Sequence, residues 1–430
     1  MPDRLTVRGW RRVRPEGVIV KKCVRFALRA GAVLSACLLA VGAVAAEPFL
    51  EKADLFENGK GGYVVHHLPG VAVTAKGSVL AWCEARKKSG GDWDAIDILL
   101  RRSTDKGKTF GEPKRIADVK GPVTKNPAAL RLKGVNPNDV TYDNPVLIPD
   151  SNGTVHGLFC VEYMRCFYMR STDDGVTWGE PVEITSAFEK FRKAYDWKVL
   201  ATGPDHGIQL KNGRLVVPVW LSTGTGGNAH RPSVTATVFS DDGGATWQAG
   251  DIAVPCTETW INPNETVAVE LGDGRVMLNV RNESKAHRRL VTVSPDGATG
   301  WCAPRFDGSL LEPICMGSIV RYPAKPNSGP VWLLFSNPDN LSCENGKEIP
   351  GNNRDRKNLS VKLSKDDGQT WPVNRTVEPG PSMYSDLAVA PDGTVFCFYG
   401  RGLKKGFAGD RLTLARFNIE WLTGSKETPK

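Results

Sequence analysis

The sequence predicts an all-β fold, a six-bladed β-propeller of four-stranded antiparallel blades, and two superposed repeats predict it. The first is a turn motif, S-x-D-x-G-x-T-[WF], present as STDKGKTF (103–110), STDDGVTW (171–178), SDDGGATW (240–247) and SKDDGQTW (364–371), with a damaged copy, SPDGATGW, at 294–301. The second is a Gly-containing turn that opens a β-branched or aromatic run, with its glycine at 77, 153, 213, 274, 329 and 393. A single Ser-Asp-Gly turn is ordinary loop chemistry, whereas full copies at a recurring spacing decide architecture.

Each Gly turn reads as a hairpin, because Asn-Gly and Asp-Gly supply the positive φ that a tight turn needs. The runs they open are KGSVLAW (76–82), NGTVHGLF (152–159), NGRLVVPVW (212–220), DGRVMLNV (273–280), SGPVWLLF (328–335) and DGTVFCFY (392–399). A third strand follows each: IDILLRRS, CFYMRS, SVTATVFS, RRLVTVS, NLSVKLS and LTLARF. The first five of these run into the Asp-rich turn or its damaged copy, and a fourth strand follows. In that turn the Asp carboxylate accepts from loop amides, Gly takes the left-handed position and the aromatic ring packs inward. The motif is a staple and carries no catalysis. The sixth unit lacks a fourth strand, which EPFLEKADLF (47–56) is placed to supply. Helical periodicity is absent apart from SAFEKFRKAYDW (186–197), which predicts a short loop helix.

Charge and leader bound the function class. The formal charge is +9, but residues 1–46 hold nine Lys/Arg against two Asp/Glu, so the rest is nearly balanced. No basic face and no aromatic–basic interleaving remain, and a nucleic-acid partner is not expected. KKCVRFALR, an apolar AGAVLSACLLAVGAVAA and then EP read as a secretory signal peptide over 1–46, leaving one propeller domain over 47–430. Secretion or periplasmic export is the expectation, without a membrane span; LSAC (34–37) also fits a lipoprotein box that would anchor the chain at Cys37. Eight cysteines lie beyond the leader. Export permits disulfides and Cys160 could bridge to Cys166, but no C-x-x-C exists and most read as buried thiols. The histidines show no metal-ligand spacing, since His66 and His67 point to opposite faces of a strand; no metal and no cofactor are expected.

Antiparallel order places the starts of first strands, the ends of second strands and the second-to-third loops at one mouth of the ring. Counting back nine or ten residues from the turn glycines gives His67, Asp143, Pro204, Glu265 and Tyr384. Counting forward seven to nine gives Arg86 and Arg281, and the second-to-third loops add Asp92 and Arg356.

These segments resemble the Asp-box exo-α-sialidases (neuraminidases) over nearly the whole mature chain, through PGVAVTAKGSVLAWCEAR, ATGPDHGIQLKNGRLVVPVW, NETVAVELGDGRVMLNVRN and GPSMYSDLAVAPDGTV. The resemblance implies a retaining glycoside hydrolase that releases terminal α-linked sialic acid. It implies Tyr384 as nucleophile, Glu265 as its base and Asp92 as acid/base, with Asp94 second and Asp97 in-strand. A neutral Tyr suits a substrate whose own carboxylate would repel a carboxylate nucleophile, an exception to the two-carboxylate scheme. By the same resemblance Arg281 and Arg356 bind the substrate carboxylate, with Arg354 close to the latter, and Arg86 sits beside the acid/base. The departure is HHLPG (66–70), where the family reads Tyr-Arg-Ile-Pro, so that His67 stands in place of a clamp arginine. If His67 faces the carboxylate it would act as an imidazolium, with binding weakening as pH rises through about 6.5, the ordinary histidine value; otherwise Arg86 or Arg401 supplies the charge. The alternatives are a hydrolase of another acidic sugar, and a sugar-binding propeller without turnover.

Overall fold

The computed structural model describes residues 46–323, 331–344, 347–349, 355–402 and 409–424. Nearly all of the leader, the Gly329 turn and Arg354 lie outside these residues.

The described chain is all-β and propeller-like, built of four-stranded antiparallel units. Residues Val65–Val73, Val79–Arg86, Ile96–Ser103 and Lys114–Arg115 form one sheet, and Thr266–Glu270 through Arg305–Leu311 form another of the same meander. The sheet begun by Tyr142–Pro149 gains a fifth member, Asp205–His206, which pairs parallel to its inner strand. The sheet of Val199–Thr202, Leu215–Ser222, Ser233–Ser240 and Gln248–Val254 gains Ile208–Gln209. Apart from a short hairpin of Cys343–Glu344 with Lys347–Glu348, the remaining described strands form one path of seven, because Val373–Val389 is continuous for 17 residues. Its first part pairs with Lys357–Ser364 and its last part with Val395–Arg401. The N-terminal segment takes the expected place: Leu50–Glu57 pairs antiparallel with Arg411–Phe417, Leu50 opposite Phe417. The loop helix is a 3₁₀ helix at Thr185–Lys193, somewhat earlier than the pattern suggested.

Apolar clusters fill the spaces between consecutive sheets. Val146, Leu158 and Tyr168 of one sheet meet Leu215, Val217 and Val238 of the next, and Val216 and Phe239 of that sheet meet Ala268, Val276 and Leu278. Polar turns cover the rims. In the turn at 171–178 the Ser171 hydroxyl donates to Asp173 at 2.8 Å, and Asp173 also accepts from Thr177 N (2.9 Å) and Thr177 Oγ1 (2.5 Å). The bond to Thr177 first of all holds the Asp173 carboxyl down at about 2. The turns at Asp105, Asp242 and Asp366 repeat these bonds. Gly244 shows why glycine is needed: φ is +86°, and a Cβ would stand 2.3 Å from the Tyr168 hydroxyl of the preceding sheet.

Cys160 lies opposite Cys166 in register, both as buried thiols rather than a bridge; among the described residues all eight cysteines are free, with Cys302 and Cys343 exposed. No helix among the described residues is long and apolar enough to cross a membrane.

Gly70 sits where the first sheet meets its own second strand. A Cβ there would fall 2.1 Å from Cε2 of Trp82, a fully buried ring whose Nε1 donates to Pro145 O at 3.3 Å. Trp82 cannot yield without breaking that bond. Gly70→Ala is expected to cost about 1–3 kcal/mol or more, as overpacking does. A denaturant midpoint unchanged from wild type would show that the strand shifts freely.

Candidate active site

The inner-strand starts are irregular where they reach the mouth of the ring. Register shifts fall between His67 and Gly70, between Asp143 and Val146, and between Ser382 and Ser385. Leu68 and Asn144 take positive φ of 51° and 50°. Such bulges re-aim side chains beside sites, and here they frame a cleft of about 950 Å³. Seven of the residues singled out in the sequence line it: His67, Arg86, Asp92, Glu265, Arg281, Arg356 and Tyr384.

At its floor the Tyr384 hydroxyl donates to the Glu265 carboxylate, 2.7 Å from Oε1 and 2.8 Å from Oε2. Arg281 donates through Nη1 to the same hydroxyl at 3.0 Å and pairs with Glu265. Burial pushes the Tyr384 phenol well above its ordinary value, Arg281 opposing and Glu265 reinforcing, so the hydroxyl is neutral and already pointed at a base. Arg281 keeps Nε buried without a partner. Arg356 donates to Ile314 O, and its guanidinium carbon lies 5.4 Å from the Tyr384 ring centroid.

Asp92 stands across the cleft, its side chain 51% exposed. Arg86 donates to it at 2.9 Å and to Gly90 O at 2.7 Å, while buried Glu84 takes Nε and Nη2 of Arg86 at 3.1 and 2.8 Å. Desolvation works to raise the half-open Asp92 carboxyl, but the Arg86 guanidinium beside it outweighs this and holds the carboxyl at about 2. Asp94 does something else. Its carboxylate accepts the amides of Lys88, Ser89 and Gly90, fixing the loop that carries Asp92. Asp97 lies in its strand, accepting from Tyr63 Oη at 2.7 Å. Arg401, the other candidate source of charge, bonds Asp54 and Thr413 and is not among the cleft-lining residues. Nor are Asp143 and Pro204; Asp143 is fully buried and accepts from Tyr163 N.

His67 faces the cleft with its ring centroid 4.7 Å from that of Tyr384, whereas the His66 ring turns the other way, towards Phe56 and Tyr63. Burial and then Arg86, with Arg356 and Arg281 adding, drive His67 well below its ordinary value despite Asp92. Without a substrate carboxylate beside it, the direction at this position is away from an imidazolium. Burial also lowers His66 to about 4. Both folded-state values lie below the unfolded one, so the unfolded chain binds more protons as pH falls. The stability due to these rings is complete above about pH 6.5 and for His66 is lost towards about 4. His66→Gln should flatten the acid side of a Tm-against-pH curve relative to wild type; parallel curves would remove His66 from acid sensitivity.

Sequence reasoning missed one wall. Tyr163, Trp220 and His230 line the cleft, the His230 ring lying 4.8 Å from Tyr163 and 5.2 Å from Trp220, with Nδ1 3.9 Å from Asp92. Arg231, paired with Glu283, extends it. Trp220 lies near the end of a second strand, Leu215–Ser222, and His230 in a second-to-third loop, close to the positions that yielded Arg281 and Asp92, but no motif marks them. Among the described residues no group of three or more His, Cys, Asp or Glu could hold a metal ion.

The arrangement offers a neutral hydroxyl with an adjacent carboxylate, guanidinium groups beside it and a second carboxylate opposite. It suits nucleophilic attack on an anionic substrate with separate proton donation.

Residues 135–397 match the model of the BNR repeat-like domain. The chain is 29% identical over 403 residues to the sialidase of Micromonospora viridifaciens, covering 88% of this chain and 55% of that one. It is 28% identical over 380 residues to Sialidase-2 of Mus musculus, covering 83% and 93%. The chain spans about half the length of the bacterial relatives it matches, 55% for Micromonospora and 53% for the sialidase of Bacteroides fragilis. A solved structure of a Hadza microbial sialidase superposes with a TM-score of 0.67 at 24% identity, covering 86% of this chain and 69% of that one. The intramolecular trans-sialidase of Ruminococcus gnavus superposes at 0.65 and 17%, covering 86% and 98%.

Proposed function

The chain belongs to the BNR-repeat, Asp-box sialidase family, and from that premise we propose that its cleft hydrolyses terminal α-linked sialic acid from glycoconjugates with retention. The observation that carries the reading is the Tyr384–Glu265 pair, with Arg281 on the same hydroxyl. A binding protein has no use for a nucleophile already hydrogen-bonded to its base. Tyr384 Oη attacks the anomeric carbon, Glu265 takes its proton, and Asp92 protonates the departing oxygen. Water, deprotonated by Asp92, then displaces the Tyr384 oxygen from the sugar, and that oxygen recovers its proton from Glu265. Arg281 and Arg356 hold the substrate carboxylate as planar double donors.

We count the seven-stranded path as two blades sharing one long strand, which makes six blades with Asp-box turns on the outer rim. Export rests on the pattern of residues 1–46. The second reading, hydrolysis of a different acidic sugar, is favoured by one observation: a histidine, His67, lies against the Tyr384 ring where the family carries an arginine, so the clamp holds two arginines, Arg281 and Arg356. An aryl α-sialoside assay on the full chain, beside aryl glycosides of other acidic sugars, separates the two. Release of sialic acid supports the first. Release only of another acidic sugar replaces it, and no turnover of any leaves the sugar-binding alternative.

A further inference from the structure

We propose that Lys125 is a positioning residue for Asp92, its buried ammonium pinning the loop 87–95 to the neighbouring sheet; the proposal rests on the reading of Asp92 as proton donor. Lys125 is 3% exposed. Its Nζ donates to Trp93 O at 3.0 Å, Asp139 O at 2.9 Å, Thr141 Oγ1 at 2.9 Å and Glu162 Oε1 at 3.2 Å, and lies 3.0 Å from Glu162 Oε2. An ammonium has three protons, so two of these four acceptors share one, and they come from several chain segments at once. One of those acceptors belongs to the residue directly after Asp92.

The same knot grips the loop a second time. Thr141 donates through Oγ1 to Asp94 O at 2.7 Å, and its amide donates to Glu162 Oε1 at 2.8 Å. Glu162 and Tyr163 take positive φ of 58° and 47°, and Tyr163 lines the cleft. Lys125 therefore ties the Asp92 loop and the Tyr163 turn to one charge. Asp92 itself takes a hydrogen bond from Arg86 and has His230 3.9 Å away, with half of its side chain open, so its placement leans on the backbone beside it. A displacement of about 1 Å costs on the order of 10²-fold when a reacting group must be aligned. Hydrogen bonds to a charged donor are stronger than neutral ones, which suits lysine to this task.

The test replaces both charges, Lys125→Met with Glu162→Gln, so that neither is left buried alone. Proton donation matters for poor leaving groups and little for good ones. Turnover of a natural sialoside is expected to fall roughly 10–100-fold and of a nitrophenyl sialoside by less than about 3-fold, following the leaving-group logic of general acid catalysis. Amide exchange of the peptide 87–95 is expected to quicken about 10-fold or more, with other strands unchanged. Thr141→Val should give the same split at smaller size, and carries the test if the double variant does not fold. Equal losses on both substrates, or unchanged exchange of 87–95 in a folded variant, would overturn the proposal. If the wild type cleaves neither substrate the functional reading fails, and the exchange rate alone decides the placement of the loop.

Discussion

Tyr384→Phe is expected to fold as the wild type does and to lose turnover by about 10³-fold or more, the scale on which loss of a covalent nucleophile is felt. The ring fills the same space against His67 and Arg356, so packing is retained. What disappears is an oxygen that donates to Glu265 and accepts from Arg281. Glu265 keeps its pair with Arg281, so no buried charge is stranded and the protein should survive. The comparison is kcat for both proteins at equal thermal stability. Near-normal kcat in folded Tyr384→Phe would remove this hydroxyl from the chemistry.

Asp92→Ala should depress cleavage of natural sialosides by roughly 10²–10⁴-fold while largely sparing aryl sialosides with good leaving groups. A pH signature accompanies it. In the empty cleft Arg86 is the main cation holding Asp92 at about 2, where it is ionised and unable to donate. Substrate brings another carboxylate into the same cleft, onto Arg281 and Arg356, and a like charge nearby raises a carboxyl pKa. Because kcat/KM reports the free protein and kcat the complex, the Asp92 limb should lie at higher pH in kcat. Coincident limbs, or equal losses on both substrate types, would point to a role in positioning.

The fold was legible because its turns are chemically demanding. A hairpin needing positive φ selects Gly with Asn or Asp, and the outer turn needs Ser, Asp, Gly and Thr at set offsets to close bonds such as those around Asp173. The seven-stranded path was not legible, since Pro379-Gly380-Pro381 reads as a break although Lys357 pairs with Pro381 across the ladder. In the site, Tyr384 and Glu265 could be placed by counting along strands. The choice among Asp92, Asp94 and Asp97 could not, because it turns on which carboxylate its own loop amides consume, and those bonds to Asp94 appear only in three dimensions. Likewise His67 could be placed at the site but the direction of its pKa could not, since that depends on burial, on Arg86 of the paired strand, and on Arg356 and Arg281 arriving from other sheets.

The central claim is that Tyr384 forms the covalent bond to the sugar. A slowly hydrolysed 2,3-difluorosialic acid, applied to the full chain, tests it by leaving the sugar on the residue that attacks. Peptide mass spectrometry after brief exposure should find one added sugar on the peptide containing Tyr384, with none on Tyr384→Phe. An adduct on Glu265 or Asp92 instead, or undiminished labelling of Tyr384→Phe, would contradict the account.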